Sequence, residues 1–397
     1  MKEIIESGKN VIMNTYASFP IVLDRGEGCY VYDTDGKEYL DFVAGIAVNT
    51  LGYNNKKLEE NIVAQFRKLH HCSNLYWTEP TIALAEKLTQ NSAFDKVFFC
   101  NSGTEAIEAG LKLSRKYGNM KHGEERYEII TMENSFHGRT FGSVTATGQT
   151  KYQKGFGPLL PGVSHVKYNS IEDLKRAVTD KTCAIVVEAI QGEGGVCPAE
   201  QEFLENIRDI CDEKDIVLVF DEVQTGIGRT GKLFAYEMYG VEPDIICMAK
   251  GLAGGIPMGA MMAKDRIASA FEPGNHASTF GGNPLACSAA LTVLDELLEN
   301  GLMENVKVLG ERLKKGLEAL KEKYSVVEDV RGMGLMQGIA VKPELVKGIV
   351  ASAIENGLLL VGAGANVIRF VPPLVVGEAE IDKALEIMEK AIAENSK

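Results

Sequence analysis

Two residues able to do chemistry stand at the ends of apolar runs, 29 positions apart: Asp221 closes Ile216-Val-Leu-Val-Phe-Asp221, and Lys250 closes Asp244-Ile-Ile-Cys-Met-Ala-Lys250. Glycine-rich turns follow both, Gly226-Ile-Gly-Arg-Thr-Gly231 and Gly251-Leu-Ala-Gly-Gly255. A lysine and an aspartate presented at buried strand ends are the two groups that pyridoxal phosphate chemistry needs. The lysine holds an aldehyde as a Schiff base, and the aspartate pairs with the pyridinium nitrogen so that the ring accepts electrons. Taken singly, each residue reads equally well as a solvated strand end or a turn cap.

Two further segments supply what such chemistry would require. Phe98-Phe-Cys-Asn101-Ser-Gly-Thr104-Glu-Ala leads from a strand into a helix, and small residues there leave backbone N–H groups facing an anion. Ser135-Phe136-His137-Gly138-Arg139-Thr140 offers an aromatic to stack on a flat ring and an arginine to clamp a carboxylate. Two other motifs overlap the aspartate strand. Gly226-x-Gly228-x-x-Gly231 matches a dinucleotide fingerprint by letter, but Asp221-Glu-Val-Gln-Thr intervenes where the tight turn should begin. Gly226 to Lys232 also reads as a phosphate-binding loop of a nucleotide hydrolase, yet Leu233 replaces the hydroxyl residue that ligates magnesium.

The elements that position these residues follow from the hydrophobic pattern. Short apolar strands at 96–100, 127–131, 163–167, 183–187, 216–220, 244–248 and 259–263 alternate with helical stretches, which predicts a largely parallel sheet covered by helices. Alternating residues around Asp35-Gly36 predict a hairpin over 28–42. Helical patterns at 56–70 and 80–91 follow it, and the region after 284 carries two helices through 323, four strands and a final helix over 378–394. The expected organisation is an N-terminal segment, 1–50, whose hairpin joins a smaller domain; a large cofactor-binding domain, 51–283; and a C-terminal α+β domain, 284–397. The net charge of −13 argues against a general nucleic-acid surface. Eight scattered cysteines without a C-x-x-C pair read as buried thiols in a reducing compartment, and the six histidines form no metal pattern. The charged start and the lack of an apolar run near ~20 residues predict a cytoplasmic protein rather than an exported or membrane one.

The chain resembles the class III pyridoxal-phosphate aminotransferases. The resemblance is carried, in the family's order, by Asn101-Ser-Gly-Thr-Glu-Ala, Ser135-Phe-His-Gly-Arg-Thr, Val187-Glu-Ala-Ile-Gln-Gly-Glu-Gly-Gly, Phe220-Asp-Glu-Val-Gln-Thr-Gly-Ile-Gly-Arg-Thr-Gly, Ala249-Lys-Gly, Ser278-Thr-Phe-Gly-Gly-Asn-Pro-Leu and Asn366-Val-Ile-Arg-Phe-Val-Pro-Pro-Leu. It implies an α/β protein of PLP-dependent transferase fold type I, aspartate-aminotransferase-like, with a mainly parallel seven-stranded sheet, working as a homodimer with shared active sites. It implies Lys250 as Schiff-base lysine and proton shuttle, Asp221 on the pyridine nitrogen and Gln224 on the ring hydroxyl. Val223 and Phe136 would pack on the two ring faces. Ser102, Gly103 and Thr104 would hold the phosphate, with Thr279 reaching it from the neighbouring subunit. Arg139 would bind the carboxylate distal to the reacting amine, and Arg369 the one beside it, with Glu193 as its switchable partner.

Gly45-Ile-Ala-Val-Asn and the Phe-His-Gly-Arg loop point within the family to N2-acetylornithine as donor, 2-oxoglutarate as acceptor and a place in arginine biosynthesis. Succinylornithine, ornithine, succinyl-diaminopimelate or 4-aminobutyrate transamination and a same-fold aminomutase remain alternatives. One departure stands out. Members usually carry Val-Glu-Pro where this chain has Glu188-Ala189, and losing a fixed φ is expected to loosen that turn.

Overall fold

A computed structural model describes residues 1–396. At its centre is a seven-stranded sheet in the spatial order Lys96–Cys100, Gly259–Ala263, Ile245–Met248, Val217–Asp221, Thr182–Val187, Glu128–Met132 and Val163–Val166. Gly259–Ala263 runs antiparallel to both neighbours, and the pairings through the rest of the sheet are parallel. The strands Thr182–Val187, Val217–Asp221 and Ile245–Met248 are buried at every residue. Helices cover both faces of a parallel sheet, so its strands are continuous apolar runs without alternation. That is how the sequence carries them.

The helix Gly103–His122 lies across this sheet. Ser102 caps it, accepting from the Glu105 N–H at 3.4 Å, and Gly123 ends it at φ +94°. Gly118 lets the helix approach closely, since a Cβ there would sit 2.7 Å from Cys183 Cβ.

A second sheet orders Val327–Met333, Met336–Val341, Val367–Phe370 and Val361–Ala363, antiparallel throughout. The N-terminal strands Leu23–Glu27, Tyr30–Asp33 and Glu38–Asp41 make a third, completed by Leu358–Leu359 alongside Glu38–Asp41. The hairpin thus finds its partner more than 300 residues away in sequence. Its turn is fixed by Asp33 Oδ1, which accepts from the N–H groups of Asp35 and Lys37 at 3.0 and 2.9 Å.

The helical stretch 284–323 is two helices, Pro284–Glu299 and Leu302–Lys323, broken at Gly301 with φ +73°. Pro284–Glu299 packs on Lys56–Lys68 and Glu79–Gln90, with Asn61 donating to Thr292 at 2.8 Å. The sequence reading did not anticipate the helix Lys2–Val11, which buries no residue, or the two-residue strands Ile190–Gln191 and Cys197–Pro198. Among the described residues no helix is long and apolar enough to cross a membrane, and no group of three or more His, Cys, Asp or Glu could hold a metal ion.

Candidate active site

The chemistry-bearing residues gather along one edge of the large sheet, beyond the carboxyl ends of its parallel strands, where ligands of open α/β sheets bind. Ser102, Gly103, Thr104, Phe136, Arg139, Glu193, Asp221, Val223, Gln224 and Lys250 line one cavity of about 450 Å³. Arg369 stands directly behind Glu193 and Gln224. Thr279 is not brought to the cavity. It is exposed and lines a separate cleft with Tyr76 and Trp77.

Lys250 sits at φ +40°, a left-handed conformation that costs a residue with a Cβ and persists only where the surroundings impose it. Burial pushes its amine down to about 8, and the Arg369 charge adds to the effect against the opposing pull of Glu193, Asp221 and Glu188. The amine is therefore available as a base or nucleophile near neutral pH.

Asp221 is held from two sides. Its Oδ2 lies 2.7 Å from Nδ1 of His137, and its Oδ1 accepts from the Val223 N–H at 3.0 Å. His137 is itself fully enclosed, with its backbone N–H on Thr147 Oγ1 at 2.9 Å and no partner for Nε2 among the described residues. The aspartate is 5% exposed and lines the cavity, so a cationic ring nitrogen there would meet a fixed counter-charge.

Glu188 lines the same cavity and accepts from the Phe136 N–H at 3.2 Å. Burial, with the Asp221 charge next, pushes its carboxyl well above the usual range. His137 and Glu188 are site residues that sequence reasoning missed. Their only signal was membership of the Phe-His-Gly-Arg and Val-Glu-Ala segments. The turn at Ala189 has a counterweight to its missing proline: the residue is fully buried, and its carbonyl accepts from Ala199 N–H at 2.9 Å and Tyr239 O–H at 3.2 Å.

The anion cup is built on the N-terminus of Gly103–His122. Glu105 locks its entrance, accepting from Ser102 Oγ at 2.7 Å and from the Asn101 N–H at 2.9 Å. A Cβ at Gly103 would meet Val223 Cγ1 at 2.6 Å, so the turn is pressed against the aspartate loop. The cradle, a helix terminus facing the cavity and a buried aspartate across from it suit a flat ring carrying a phosphate and a protonated nitrogen.

Two arginines flank this space. Arg369, on Val367–Phe370, is 1% exposed and donates from one guanidinium nitrogen to Glu193 Oε1 at 2.7 Å and Gln224 Oε1 at 3.0 Å, while its Nε has no partner among the described residues. Glu193 occupies the turn between Ile190–Gln191 and Cys197–Pro198. Burial alone would raise its carboxyl, but the Arg369 guanidinium outweighs this, with help from Lys250 and Lys151, and holds it below the usual range. Arg139 lines the cavity, with no carboxylate paired to it among the described residues.

The glycine-rich segment at Gly226–Gly231 has another use than phosphate binding. The N–H groups of Gly226, Gly228 and Gly231 bond to the carbonyls of Glu222, Leu233 and Gly228 at 3.0–3.1 Å. Arg229 within it is 2% exposed and bonds to the carbonyls of Leu335 and Pro372. Three of its glycine N–H groups are thus engaged within the chain, and the segment packs on the C-terminal sheet, which counts against the phosphate-loop reading.

Comparison with known proteins agrees. A family model described as aminotransferase class-III matches residues 11–392. The acetylornithine aminotransferase of Caldanaerobacter subterraneus subsp. tengcongensis is 55% identical over 386 residues, covering 97% of this chain and 98% of that protein. The crystal structure of acetylornithine aminotransferase from Elizabethkingia anophelis superposes with a TM-score of 0.88 at 35% identity, covering 99% of each chain. An ornithine aminotransferase from Toxoplasma gondii, with partial occupancy of PLP at its active site, superposes with a TM-score of 0.95 at 29% identity, covering 99% of this chain and 94% of that one.

Proposed function

The chain belongs to the class III aminotransferases, and from that membership we propose that it moves the side-chain amine of N2-acetylornithine to 2-oxoglutarate, yielding N-acetylglutamate 5-semialdehyde and glutamate, a step of arginine biosynthesis. The observation that carries the reading is the asymmetry of the two arginines around Lys250. Arg369 is already neutralised by Glu193, whereas Arg139 awaits an anion.

Pyridoxal phosphate, when bound, supplies the electron sink that accepts the pair released when a C–H bond beside the amine breaks. Ser102, Gly103 and Thr104 would hold its phosphate, Val223 and Phe136 its two faces, Gln224 its hydroxyl and Asp221 its ring nitrogen. His137 fixes the Asp221 carboxylate through their 2.7 Å contact. Lys250, whose amine burial lowers to about 8 in the free chain, would take the proton from the substrate carbon and pass it to the cofactor carbon that carried the aldehyde. Positioned proton transfer of this kind is worth about 10²–10⁴-fold.

The two half-reactions need different charges at one spot. An acylated ornithine brings a methylene beside its reacting amine, where an unpaired buried arginine would be costly. Glu193 neutralises Arg369 in that half-reaction and swings off to let Arg369 take the carboxylate of glutamate or 2-oxoglutarate. Arg139 serves the far carboxylate in both.

Thr279 and the apolar side chains around it support a homodimer. Trp77 is 89% exposed, and Leu75, Tyr76 and Phe280 are exposed beside it, more than a monomer leaves bare without use. In that assembly Thr279 of the partner subunit would complete the phosphate cup. Eight free cysteines suit a reducing cytoplasm. A panel of amine donors with 2-oxoglutarate as acceptor tests the assignment. N2-acetylornithine should give the highest kcat/KM, and a preference for free ornithine or 4-aminobutyrate would move the chain elsewhere in the family. Product formation without 2-oxoglutarate would point to an aminomutase.

A further inference from the structure

Arg139 has no carboxylate to hold it, yet it is not free. The Tyr152 ring lies under its guanidinium at 3.9 Å from the ring centroid, and the Phe136 ring at 5.3 Å. The two rings meet edge to face, 5.6 Å apart at 83°. Phe136 and Arg139 line the cavity, whereas Tyr152 does not.

The segment carrying Tyr152 is fastened on both sides. Gln149 donates to the Ser135 carbonyl at 3.0 Å, and Gln153 donates to the Thr147 carbonyl at 2.9 Å. Tyr152 itself continues the turn with its N–H on the Gln149 carbonyl at 3.0 Å. The ring is thus tied to the same loop that bears Phe136 and Arg139. A long arginine side chain loses rotamer freedom when it binds a ligand, and a face already stacked on an aromatic has less left to lose.

We propose that Tyr152 is a positioning residue for the distal carboxylate, stacking under Arg139 so that the guanidinium is preset for dicarboxylate substrates. Nothing in the sequence reading assigned it a role. The inference rests on the reading of Arg139 as the distal-carboxylate clamp. The ring face is what matters, not the hydroxyl.

The test uses the holoenzyme and three substitutions, Tyr152→Phe, Tyr152→Leu and Arg139→Ala, with thermal melting to confirm folding. KM for 2-oxoglutarate, kcat and the inhibition constant of glutarate, an inert dicarboxylate, are measured for each. Tyr152→Leu keeps bulk without a π face and should raise KM and the glutarate constant about 3- to 10-fold, equivalent to about 0.7–1.4 kcal/mol, with kcat nearly unchanged. Tyr152→Phe should match the native enzyme. Tyr152→Met gives similar bulk without a ring should the leucine variant not fold. If the phenylalanine and leucine variants behave alike, whether both native-like or both impaired, the stacking role is overturned. If Arg139→Ala leaves both constants unchanged, the clamp reading fails first. If Arg139→Ala raises them and Tyr152→Leu does not, the inference alone fails.

Discussion

At the scale of single residues, function rests on charges gathered in and behind one largely buried cavity. Asp221→Asn should retain cofactor but lose most turnover, because an amide cannot hold the ring nitrogen protonated. Single-turnover rates with glutamate measure this, and unchanged rates would contradict it. Burial lowers the Lys250 amine to about 8, so in apoprotein it is protonated below that pH and free above it. Uptake of pyridoxal phosphate by apoprotein, followed by absorbance, should accelerate about tenfold per unit up to pH 8 and then level off. A profile still rising at pH 10 would restore an ordinary lysine. Glu193→Ala leaves Arg369 without its 2.7 Å partner, so it should slow the acylated-ornithine half-reaction and spare or improve the glutamate one. Equal losses in both halves would remove Glu193 from the switch. That Lys250, Asp221 and Glu193 line one cavity was legible because each sits in a local motif. The places of His137 and Glu188 were not, since the Asp221 contact to His137 spans 84 residues and the upward push on the Glu188 carboxyl comes first from burial, which no spacing reveals.

At the scale of elements, strand ends deliver the site, and close backbone approach keeps it compact. The loop after Glu128–Met132 passes over the helix start after Lys96–Cys100 at Gly138, whose φ is +130° and whose Cβ would fall 2.3 Å from Thr104 Oγ1. Gly138→Ala should therefore combine backbone strain with a push on the anion cup. A cost of about 1–3 kcal/mol corresponds to a cofactor dissociation constant about 5- to 150-fold higher, readable by equilibrium dialysis. Native-like retention would show that this crossing does not shape the cup. The central strands were readable in sequence because burial on both faces makes them continuous apolar runs, as in Thr182–Val187. The helix Lys2–Val11 was not read, although Ile4, Ile5 and Val11 share one face, and that face buries no residue against the rest of the chain. The strands Ile190–Gln191 and Cys197–Pro198 are too short for any periodicity to register, though they carry the Glu193 turn.

At the scale of the whole molecule, the sequence conveys the layered α/β architecture but not which distant pieces meet. The pairing of Glu38–Asp41 with Leu358–Leu359 depends on long-range closure, and the separation of Thr279 from the cavity concerns a surface rather than an element. If paired chains share sites, mixing Lys250→Ala chains with Thr279→Val chains should restore activity. One site of each hybrid would then hold a native lysine and a native Thr279 from the partner subunit. No gain on mixing would mean that each chain works alone. Transamination through Lys250 can be read in one assay. Purified protein is given N2-acetylornithine and 2-oxoglutarate, and glutamate and semialdehyde are quantified for the native chain and for Lys250→Ala under saturating cofactor. Equimolar products are expected from the native enzyme and none above background from a folded Lys250→Ala variant. Near-native turnover by that variant, or glutamate formed without the semialdehyde, would contradict it.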